Sequence, residues 1–359
     1  MPRKPAAPEP PAEKADPNRP RPPTVLDLAR EAGVSKSTVS RVLNGSPNVS
    51  PQARARILKT MERLGYHINL AARSLRTSRT SQVGLLVPAI NNEVFGEIAE
   101  RLEEVLAGEG VSLAITSSGW SVEGELRALD VFESRGVDTM VVCVVNERDA
   151  RVAERLAKFG PPLVLLDRQI RGIKGDAVMT DHRIGLDESI EHLARLGHKR
   201  IGIRTATDLT RPGREQYAAY ATATSRLGLS TAAELVVRSD TYDHGSGRQT
   251  AEALLSAGAT AIIVCATVPV VAGALALLHE RHIPIPQALS FIEYTDSELA
   301  NMHVPRLSVI LRPVADIGRA AGKLALARMA NAQAPARVEI ISTQFLDRQS
   351  TTAFLTHSS

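Results

Sequence analysis

The stretch TVLDLAREAGVSKSTVSRVLNGSPNVS, residues 24–50, decides the fold of the first part of the chain. Thr24 is a good N-cap for a helix over 25–32, and Asp27 three residues later favours the exposed amides of the first turn. Gly33 then permits a tight turn, because glycine adopts positive φ at little steric cost. The first helix is therefore predicted to end in a sharp change of direction.

A second short helix is predicted over 36–44. Ser35 caps its start, and the Asn44-Gly45 pair stops it. Three apolar side chains follow the i, i+3, i+4 spacing of a buried stripe, namely Val39, Val42 and Leu43. The opposite face of this helix is left polar.

A third helix is predicted to begin at Ser50-Pro51, since a capping serine followed by proline is a typical helix start. Gly65 closes it. Its apolar face is expected to hold Ile57, Leu58, Met61 and Leu64. Two short helices joined by a glycine turn and backed by a third make a helix-turn-helix unit.

The second helix of this unit is predicted to read DNA. With its apolar stripe committed to the core, its first turns present amides, hydroxyls and cations to a polyanion. Arg41 can bind guanine bidentately or contact the phosphate backbone, and Ser37 and Thr38 can contact base edges or thymine methyl groups. A solvated polar face is the alternative. The predicted DNA contacts of the head are Thr24, Ser35, Lys36, Ser37, Thr38, Arg41, Asn44, Ser50 and Tyr66.

Charge is unevenly distributed along the chain. The net charge is +4, but residues 1–81 contain fifteen Lys or Arg and six Asp or Glu, whereas the remainder contains 28 basic and 33 acidic residues. A basic segment ahead of an acidic one is typical of a polyanion-binding head on a body with another task. Basic tails also occur in proteins that bind nothing through them.

Length and composition indicate two or three folding units, because 359 residues with 43% hydrophobic side chains exceed one typical core. Residues 1–23 are proline-rich and lack aromatic side chains, which predicts a disordered tail. They also lack the apolar segment of a secretory signal, which favours a cytoplasmic protein. The apolar run 261–278 predicts a buried strand, a turn and a helix. Cys143 and Cys265 are expected to be small buried hydrophobes.

Three motifs resemble the lactose-repressor (LacI/GalR) family of bacterial transcription regulators: LAREAGVSKSTVSRVLNGSPNVS, LGYHINLAARSLRTSRTSQVGLLVP and VMTDHRIGLDESIEHLARLGHKRIGI. The resemblance runs from about Thr24 nearly to the C-terminus. It implies a hinge that becomes helical on the operator and wedges a leucine into the minor groove. Leu75 is then the wedge candidate, Ala72 its groove-facing neighbour and Asn69 the start of the hinge. Packing of Leu75 against its own domain is the alternative, and Ile68 stands where the family often has proline.

From Val83 onward, short apolar strands such as VGLLVP and PLVLLD alternate with amphipathic stretches, and the alternation recurs from Arg200. This pattern predicts parallel sheets flanked by helices. Together with the resemblance it indicates an α/β protein whose helix-turn-helix head and hinge precede a two-lobed, periplasmic-binding-protein-like (type I) core. The predicted divisions are a tail (1–23), the head (24–67), the hinge or linker (68–81) and an effector-binding and dimerisation core (82–359), with lobe 1 at about 82–180 and 309–340 and lobe 2 at about 181–308 and 341–359.

The resemblance implies that a small molecule closes the cleft between the lobes and alters the spacing of two heads. Any one of the positions that line it can equally be structural, since an aspartate at a strand end often caps the next turn. The positions carried over to this chain are Phe95, Ser117, Trp120, Asp167, Arg168, Arg214 and Tyr242.

Three further predicted liners depart from the family's pattern. Gln216 replaces a second cleft arginine, Thr267 with its neighbour replaces an Asn-Asp pair, and Thr295 replaces a ligand-holding aspartate. Because every buried hydroxyl of a sugar needs a partner, we infer an effector less polar than a simple sugar, or one whose negative charge pairs with an arginine. The candidate arginines are Arg168, Arg204 and Arg214, for which a structural ion pair is the alternative.

The sequence therefore predicts a DNA-binding repressor that reads a pseudo-palindromic operator as a dimer and responds to an effector. The expected partners are double-stranded DNA, the effector and a second copy of the chain, with no membrane, in the cytoplasm and on the nucleoid when DNA is bound. A cytosolic solute-binding protein and an α/β enzyme are the alternatives. Since no His-Glu-x-x-His, P-loop or serine-elbow motif is present, no catalytic residue, metal or other cofactor is predicted.

Overall fold

The structure, a computed structural model, describes residues 21, 23–43, 48–66 and 79–354. The chain separates into two compact units, Met1–Thr77 and Ser78–Ser359. The division falls within the expected linker. The tail and most of the hinge lie outside the described residues.

The first unit contains the three predicted helices, α1 (Val25–Glu31), α2 (Lys36–Leu43) and α3 (Pro51–Leu64). Thr24 and Asp27 form a reciprocal capping box at α1. At α2, the Thr38 amide donates to Ser35 Oγ at 3.1 Å. Gly65 ends α3 in the left-handed conformation, with φ 59°. The capping residues therefore set the helix bounds as the sequence predicts.

The apolar face of α3 differs from the expected one at a single position. Leu58 is 51% exposed, whereas Ile57 and Thr60 are buried. Positions 57, 60, 61 and 64 share one side of a helix, and residue 58 lies about 100° around it. Thr60 can be buried because its hydroxyl donates to the carbonyl of Arg56 at 2.8 Å.

The first lobe of the second unit is a six-stranded sheet between helices. Its strands are β1 (Gln82–Val87), β2 (Ser112–Ser117), β3 (Thr139–Val142), β4 (Leu163–Leu166), β5 (Asp176–Asp181) and β11 (Val338–Ser342). All of them pair in parallel, in the order β11-β5-β4-β3-β1-β2. The helices are α4 (Glu93–Ala107), α5 (Val122–Arg135), α6 (Ala150–Ala157) and α12 (Val314–Ala330).

The second lobe repeats this plan. Its strands are β6 (Ile201–Thr205), β7 (Val236–Arg238), β8 (Ala261–Val264), β9 (Ser290–Tyr294), β10 (Ser308–Leu311) and β12 (Gln344–Leu346). They lie in the order β12-β10-β9-β8-β6-β7, and only β12 is antiparallel to its neighbour. The helices are α7 (His182–Arg195), α8 (Arg211–Arg226), α9 (His244–Ser256), α10 (Val268–Glu280) and α11 (Glu298–Met302).

Both sheets are covered by helices on both faces, which explains the continuous apolar runs of their strands. The run 261–278 forms β8, a turn and α10, as predicted. Cys143 and Cys265 are buried free thiols. Gly247 lies where α9 meets α10, and a Cβ there would come within 1.9 Å of the Val270 carbonyl oxygen. The absence of a side chain at Gly247 therefore allows the two helices to pack closely.

The chain passes between the lobes three times. The first passage follows Asp181, next to the expected position. Val309 lies inside β10 of the second sheet, so the return lies at 312–313 and not near Val309. The last passage follows Ser342, two residues beyond the expected boundary at 340. At this last passage the Thr343 hydroxyl donates to the carbonyl of Asp181 at 2.7 Å, so two of the passages are in contact.

Candidate DNA-binding surface and ligand cleft

The start of α2 forms an exposed polar surface on the head. Ser35, Lys36, Ser37 and Arg41 are exposed, while Val39 and Val42 are buried beneath them. Ser35 Oγ lies 2.7 Å from Ser37 Oγ and 2.8 Å from Thr38 Oγ1, so the three hydroxyls form one cluster. Neither Lys36 nor Arg41 forms an ion pair with any described residue. This surface combines free cations with hydroxyl donors at a helix start, which suits phosphate and base edges.

The other predicted DNA contacts are more varied. Thr24 and Ser50 cap α1 and α3, and each retains some exposure. Tyr66 is only 8% exposed and packs into the apolar core of the head, so its ring does not belong to the exposed surface. Burial raises the pKa of its hydroxyl. Asn44, Asn69, Ala72 and Leu75 lie outside the described residues, and their roles stay predictions.

A cavity in the second unit lies at the carboxyl ends of the strands of both lobes. It has two adjoining parts, of about 300 Å³ and about 140 Å³, which share Trp120, Tyr242, Thr267 and Thr295 among other liners. Ligands of open α/β sheets bind at such strand ends. The cavity brings together eight of the ten predicted effector contacts: Phe95, Trp120, Asp167, Arg168, Gln216, Tyr242, Thr267 and Thr295.

Two predicted effector contacts lie elsewhere. Ser117 is exposed at the end of β2 and does not line either part of the cavity. Arg214 pairs with the buried carboxylate of Glu147, and its other terminal nitrogen donates to the carbonyl of Asp208 at 3.0 Å. Arg214 therefore joins the two lobes to each other and lines neither part of this cavity.

Asp167 is the centre of a buried ion network. Its carboxylate accepts from Arg211 at 2.7 Å, from Arg312 at 3.1 Å and from the Thr180 amide at 3.1 Å, and it lies 3.0 Å from His182 Nε2. Burial by itself raises the pKa of this carboxyl, but the neighbouring histidine and arginines outweigh burial and hold the pKa well below its usual range. Both oxygens are occupied by the protein, which favours the structural role left open by the sequence.

Of the three arginines proposed to meet an anionic effector, only Arg168 lines the cavity. Its guanidinium donates to the carbonyls of Val144 and Asp167 at 2.5 and 3.0 Å, which leaves its charge without a bonded carboxylate. Arg204 is fully buried and donates to three backbone carbonyls, the nearest being that of Thr241 at 2.7 Å. Arg204 therefore supports the fold, with its guanidinium carbon 5.1 Å from the centre of the Tyr242 ring.

Three residues that line the cavity have strained backbones. Trp120, Asp167 and Thr295 have φ of 58°, 51° and 98°, in the region that L-residues rarely adopt. Such strain persists only where the surroundings enforce it, and it is concentrated at ligand sites in proteins. Trp120 is also stacked on Tyr242, with ring centroids 4.3 Å apart. Backbone conformation and ring stacking therefore constrain these three positions of the cavity wall.

One cavity residue was missed by sequence reasoning. Glu293 lies in β9, is 1% exposed and lines the larger part of the cavity. Its Oε2 atom is buried and accepts no hydrogen bond from the described residues. Burial raises the pKa of this carboxyl to about 8. The sequence does contain a sign of this role. Glu293 stands two residues before Thr295, and alternate residues of a strand share a face, so a cavity contact at 295 predicts one at 293. Glu293 therefore supplies a carboxyl group to the cavity wall, although position 295 does not.

Replacing Glu293 by glutamine is expected to flatten the pH dependence of stability. The native chain keeps a proton on Glu293 that the unfolded chain releases near 4.5, the ordinary pKa of a glutamic acid, so the free energy of unfolding of the parent falls as pH rises from 4.5 towards 8. This share amounts to at most about 1.4 kcal/mol per pH unit. Urea unfolding at a series of pH values should show the advantage of the variant growing across this interval.

Glu125 also contributes to the pH dependence of stability, because burial raises its pKa to about 7. Its contribution is the same in the parent and in Glu293→Gln, so the difference between the two profiles reports on Glu293 alone. Parallel profiles of the parent and Glu293→Gln would contradict the assignment of a protonated carboxyl to the cavity.

Across residues 21, 23–43, 48–66 and 79–354, no group of three or more His, Cys, Asp or Glu side chains is arranged to hold a metal ion. None of the helices in that part of the chain has the length and apolar character that a bilayer span requires.

Comparison with known proteins places the two units in one family. Residues 24–69 match the family described as "Bacterial regulatory proteins, lacI family", and residues 190–351 match the "Periplasmic binding protein-like domain". Catabolite control protein A of Priestia megaterium is 32% identical over 305 residues, which cover 84% of this chain and 91% of that protein. The regulator GalR of Escherichia coli K12 is 30% identical over 328 residues, covering 91% and 95%.

Among solved structures, the Lac repressor dimer bound to operator and the anti-inducer ONPF aligns with a TM-score of 0.80 over 93% of this chain and all of that chain, at 22% identity. This likeness confirms the predicted fold of the head and the type I core. The sequence relatives are transcriptional regulators and not enzymes. The chain therefore belongs to the lacI family of bacterial regulatory proteins, as a DNA-binding transcriptional regulator with a periplasmic-binding-protein-like core.

Proposed function

We propose that this chain is a repressor that binds a pseudo-palindromic operator as a homodimer, with an affinity that a small molecule in the cleft of the core modulates. The head (24–67) reads DNA, the hinge (68–81) links it to the core, and the core (82–359) pairs two copies and binds the effector. The protein acts in the cytoplasm, on the bacterial nucleoid.

The exposed start of α2 carries this proposal. Among the described residues, Lys36 and Arg41 have no ion-pair partner, and the hydroxyls of Ser35, Ser37 and Thr38 lie on the same helix start above the buried Val39 and Val42. A recognition helix in a major groove needs this arrangement, because phosphate contacts position the helix and donors on its exposed side meet base edges. One such helix reads only a few base pairs, so two copies related by a two-fold axis supply the length of a specific site.

Exposed apolar side chains support pairing of two cores. Met302 is 78% exposed and Val304 is 90% exposed, side by side at the end of α11. Large apolar side chains exposed together mark interaction surfaces more often than single ones do. The Lac repressor, whose fold this chain shares, is a dimer on its operator.

Contacts between the lobes support control by a ligand. Asp167 of the first lobe meets Arg211 of the second at 2.7 Å, and Glu147 meets Arg214 across the same cleft. A ligand that binds one arrangement of the lobes better than another shifts the population of that arrangement. The ligand can change the free energy of DNA binding by no more than the difference between its own binding free energies for the two arrangements of the lobes.

Selection of binding sites from random duplex DNA tests the proposed function. The full chain should enrich a two-fold symmetric site, and its affinity for that site should fall steeply with salt as bound counterions are released. Sedimentation of the complex should show two copies on each site. Enrichment of asymmetric sites, or of none, would refute the proposal.

Replacing Leu75 by alanine is expected to weaken operator binding by roughly tenfold or more, because the wedge supports a bent duplex that contacts more protein. Leu58→Ala is the matched control, since Leu58 is an exposed leucine of the same unit. Fluorescence anisotropy on the selected site measures both affinities, and circular dichroism checks the fold. Equal affinity of Leu75→Ala and its parent would assign Leu75 to packing within its own domain.

A further inference from the structure

The larger part of the cavity has an acidic wall. Four carboxyl side chains line it: Glu93, Glu97, Glu293 and Asp296. Within the described part of the chain, no lysine, arginine or histidine lines it. Asp296 forms an ion pair with Arg348 at 2.7 Å, whereas Glu93 and Glu97 form no ion pair with a described residue.

Glu293 distinguishes this wall from an ordinary acidic surface. Its side chain is 1% exposed, and its Oε2 has neither a protein partner nor contact with bulk water. A buried polar atom without a partner costs free energy, so native proteins rarely keep one without a use. Because Glu293 lines a cavity of about 300 Å³, a rotation of its carboxyl group towards the cavity would bring Oε2 to a bound molecule, which can supply the missing partner.

The remaining wall is aromatic. Trp120 is stacked on Tyr242 and is 37% exposed, so part of its indole remains available to a ligand. An indole ring attracts cations through its negative face, and tryptophan does so better than other aromatic residues. Carboxyl groups and an indole ring around one cavity share a preference for a positively charged nitrogen.

We propose that this part of the cavity binds the protonated nitrogen of a small organic amine, whose charge draws the proton off Glu293 and pairs with its unpartnered oxygen, while the ring of Trp120 contacts the same nitrogen. The amine is a compact molecule, because the cavity has about ten times the volume share of a water molecule in the liquid. Its role as the effector rests on the proposed function above, whereas its binding does not.

Matched pairs of ligands that differ in one charged nitrogen test the proposal: D-glucosamine and D-glucose, D-galactosamine and D-galactose, and putrescine and butane-1,4-diol. Trp120 is the only tryptophan of the 359 residues, so its emission during titration of the full chain reports on this cavity. At least one amine should change the emission saturably, and its neutral partner should bind about thirty-fold or more weakly, as expected when one member of a buried charge pair is removed.

Glu293→Gln should weaken the amine by a similar factor and leave the neutral partner unchanged. Glu109→Gln, a change to an exposed glutamate outside the cavity, should have no effect. Trp120→Leu should weaken the amine roughly two- to thirty-fold, measured by thermal shift because the reporter is lost. This variant alters a part-exposed side chain and keeps the proposal testable if Glu293→Gln does not fold.

Three results would overturn the proposal: no amine of the set binding, a neutral partner binding as tightly as its amine, or an unchanged amine affinity in Glu293→Gln. Anisotropy on the selected DNA site separates these failures from failure of the proposed function. A chain that binds its site but no amine would keep the proposed function. A chain that binds an amine with no change in DNA affinity would keep the amine site and lose the effector role.

Discussion

Replacing Asp167 by asparagine is expected to lower the free energy of unfolding of the core by about 3–5 kcal/mol, the cost of removing one partner from a buried ion network. Asp167 is 3% exposed, and its carboxylate is the anion that Arg211, Arg312 and His182 share. Asparagine keeps the size of the side chain but removes the only ion-pair partner that Arg312 has among the described residues, and it leaves Arg211 only the more distant carboxylate of Glu215 at 3.8 Å. Coulombic attraction at such depth is stronger than at the surface, so its loss is not recovered from water.

Urea unfolding of the full chain, followed by circular dichroism, measures this loss. Asp130→Asn is the matched control, because Asp130 also pairs with an arginine but its side chain is 72% exposed, and it should cost less than about 1 kcal/mol. The pKa of Asp167 is lowered in the folded chain, so its share of stability is present above its ordinary pKa and is lost as pH falls through the folded value. Equal midpoints for the two variants would show that Asp167 contributes no more than a surface pair.

Replacing Arg41 by alanine is expected to abolish the preference for the selected operator over random duplex DNA. A bidentate contact from arginine to guanine contributes about 1–3 kcal/mol of discrimination, and a dimer makes that contact twice. Arg41 is exposed beside Ser37 on α2 and has no carboxylate partner among the described residues, so its guanidinium is available to a base edge. The loss should therefore appear in specific binding and not in binding to random duplex.

Anisotropy titrations on the selected site, on single-base variants of it and on random duplex separate the two roles that the sequence leaves open. In the base-reading role, Arg41→Ala loses discrimination at one position in each half-site. In the phosphate role it weakens all duplexes alike and lowers the salt dependence by about one counterion per copy. Arg30→Ala is the matched control on α1, where the side chain is 78% exposed. A uniform loss in Arg41→Ala would refute base reading.

Local chemistry decides the parts of this molecule that its sequence predicts well. The capping box of Thr24 and Asp27, the cap at Ser35 and the left-handed Gly65 involve atoms three or four residues apart, so helix bounds follow from the sequence. Leu58 shows the limit of this reasoning, because a one-residue error around a helix moves a side chain from the core to water.

Long-range contacts decide the parts that the sequence leaves open. Asp167 reads as a ligand contact until Arg211 and Arg312, 44 and 145 residues later, occupy its oxygens. Arg214 likewise meets Glu147 from 67 residues away. Glu293 is a different case. The family pattern marks position 295 as a ligand contact and does not mark position 293, although alternate residues of a strand share a face and Glu293 lines the same cavity. Resemblance to a family identifies the positions that can line a ligand cleft. Only the fold shows which of the side chains at these positions already form hydrogen bonds or ion pairs within the protein.

The contacts among the interlobe passages limit how the core can move. Thr343 donates to the carbonyl of Asp181 at 2.7 Å and accepts from the Gly185 amide at 3.0 Å, while Arg312 donates to the Thr180 hydroxyl at 3.1 Å. These bonds fasten three backbone segments into one short rod along the floor of the cleft. Sliding or twisting of one lobe on the other would stretch these bonds, so we expect the cleft to open and close by bending at the passages. A molecule bound in the cleft is then expected to act by changing the angle between the lobes.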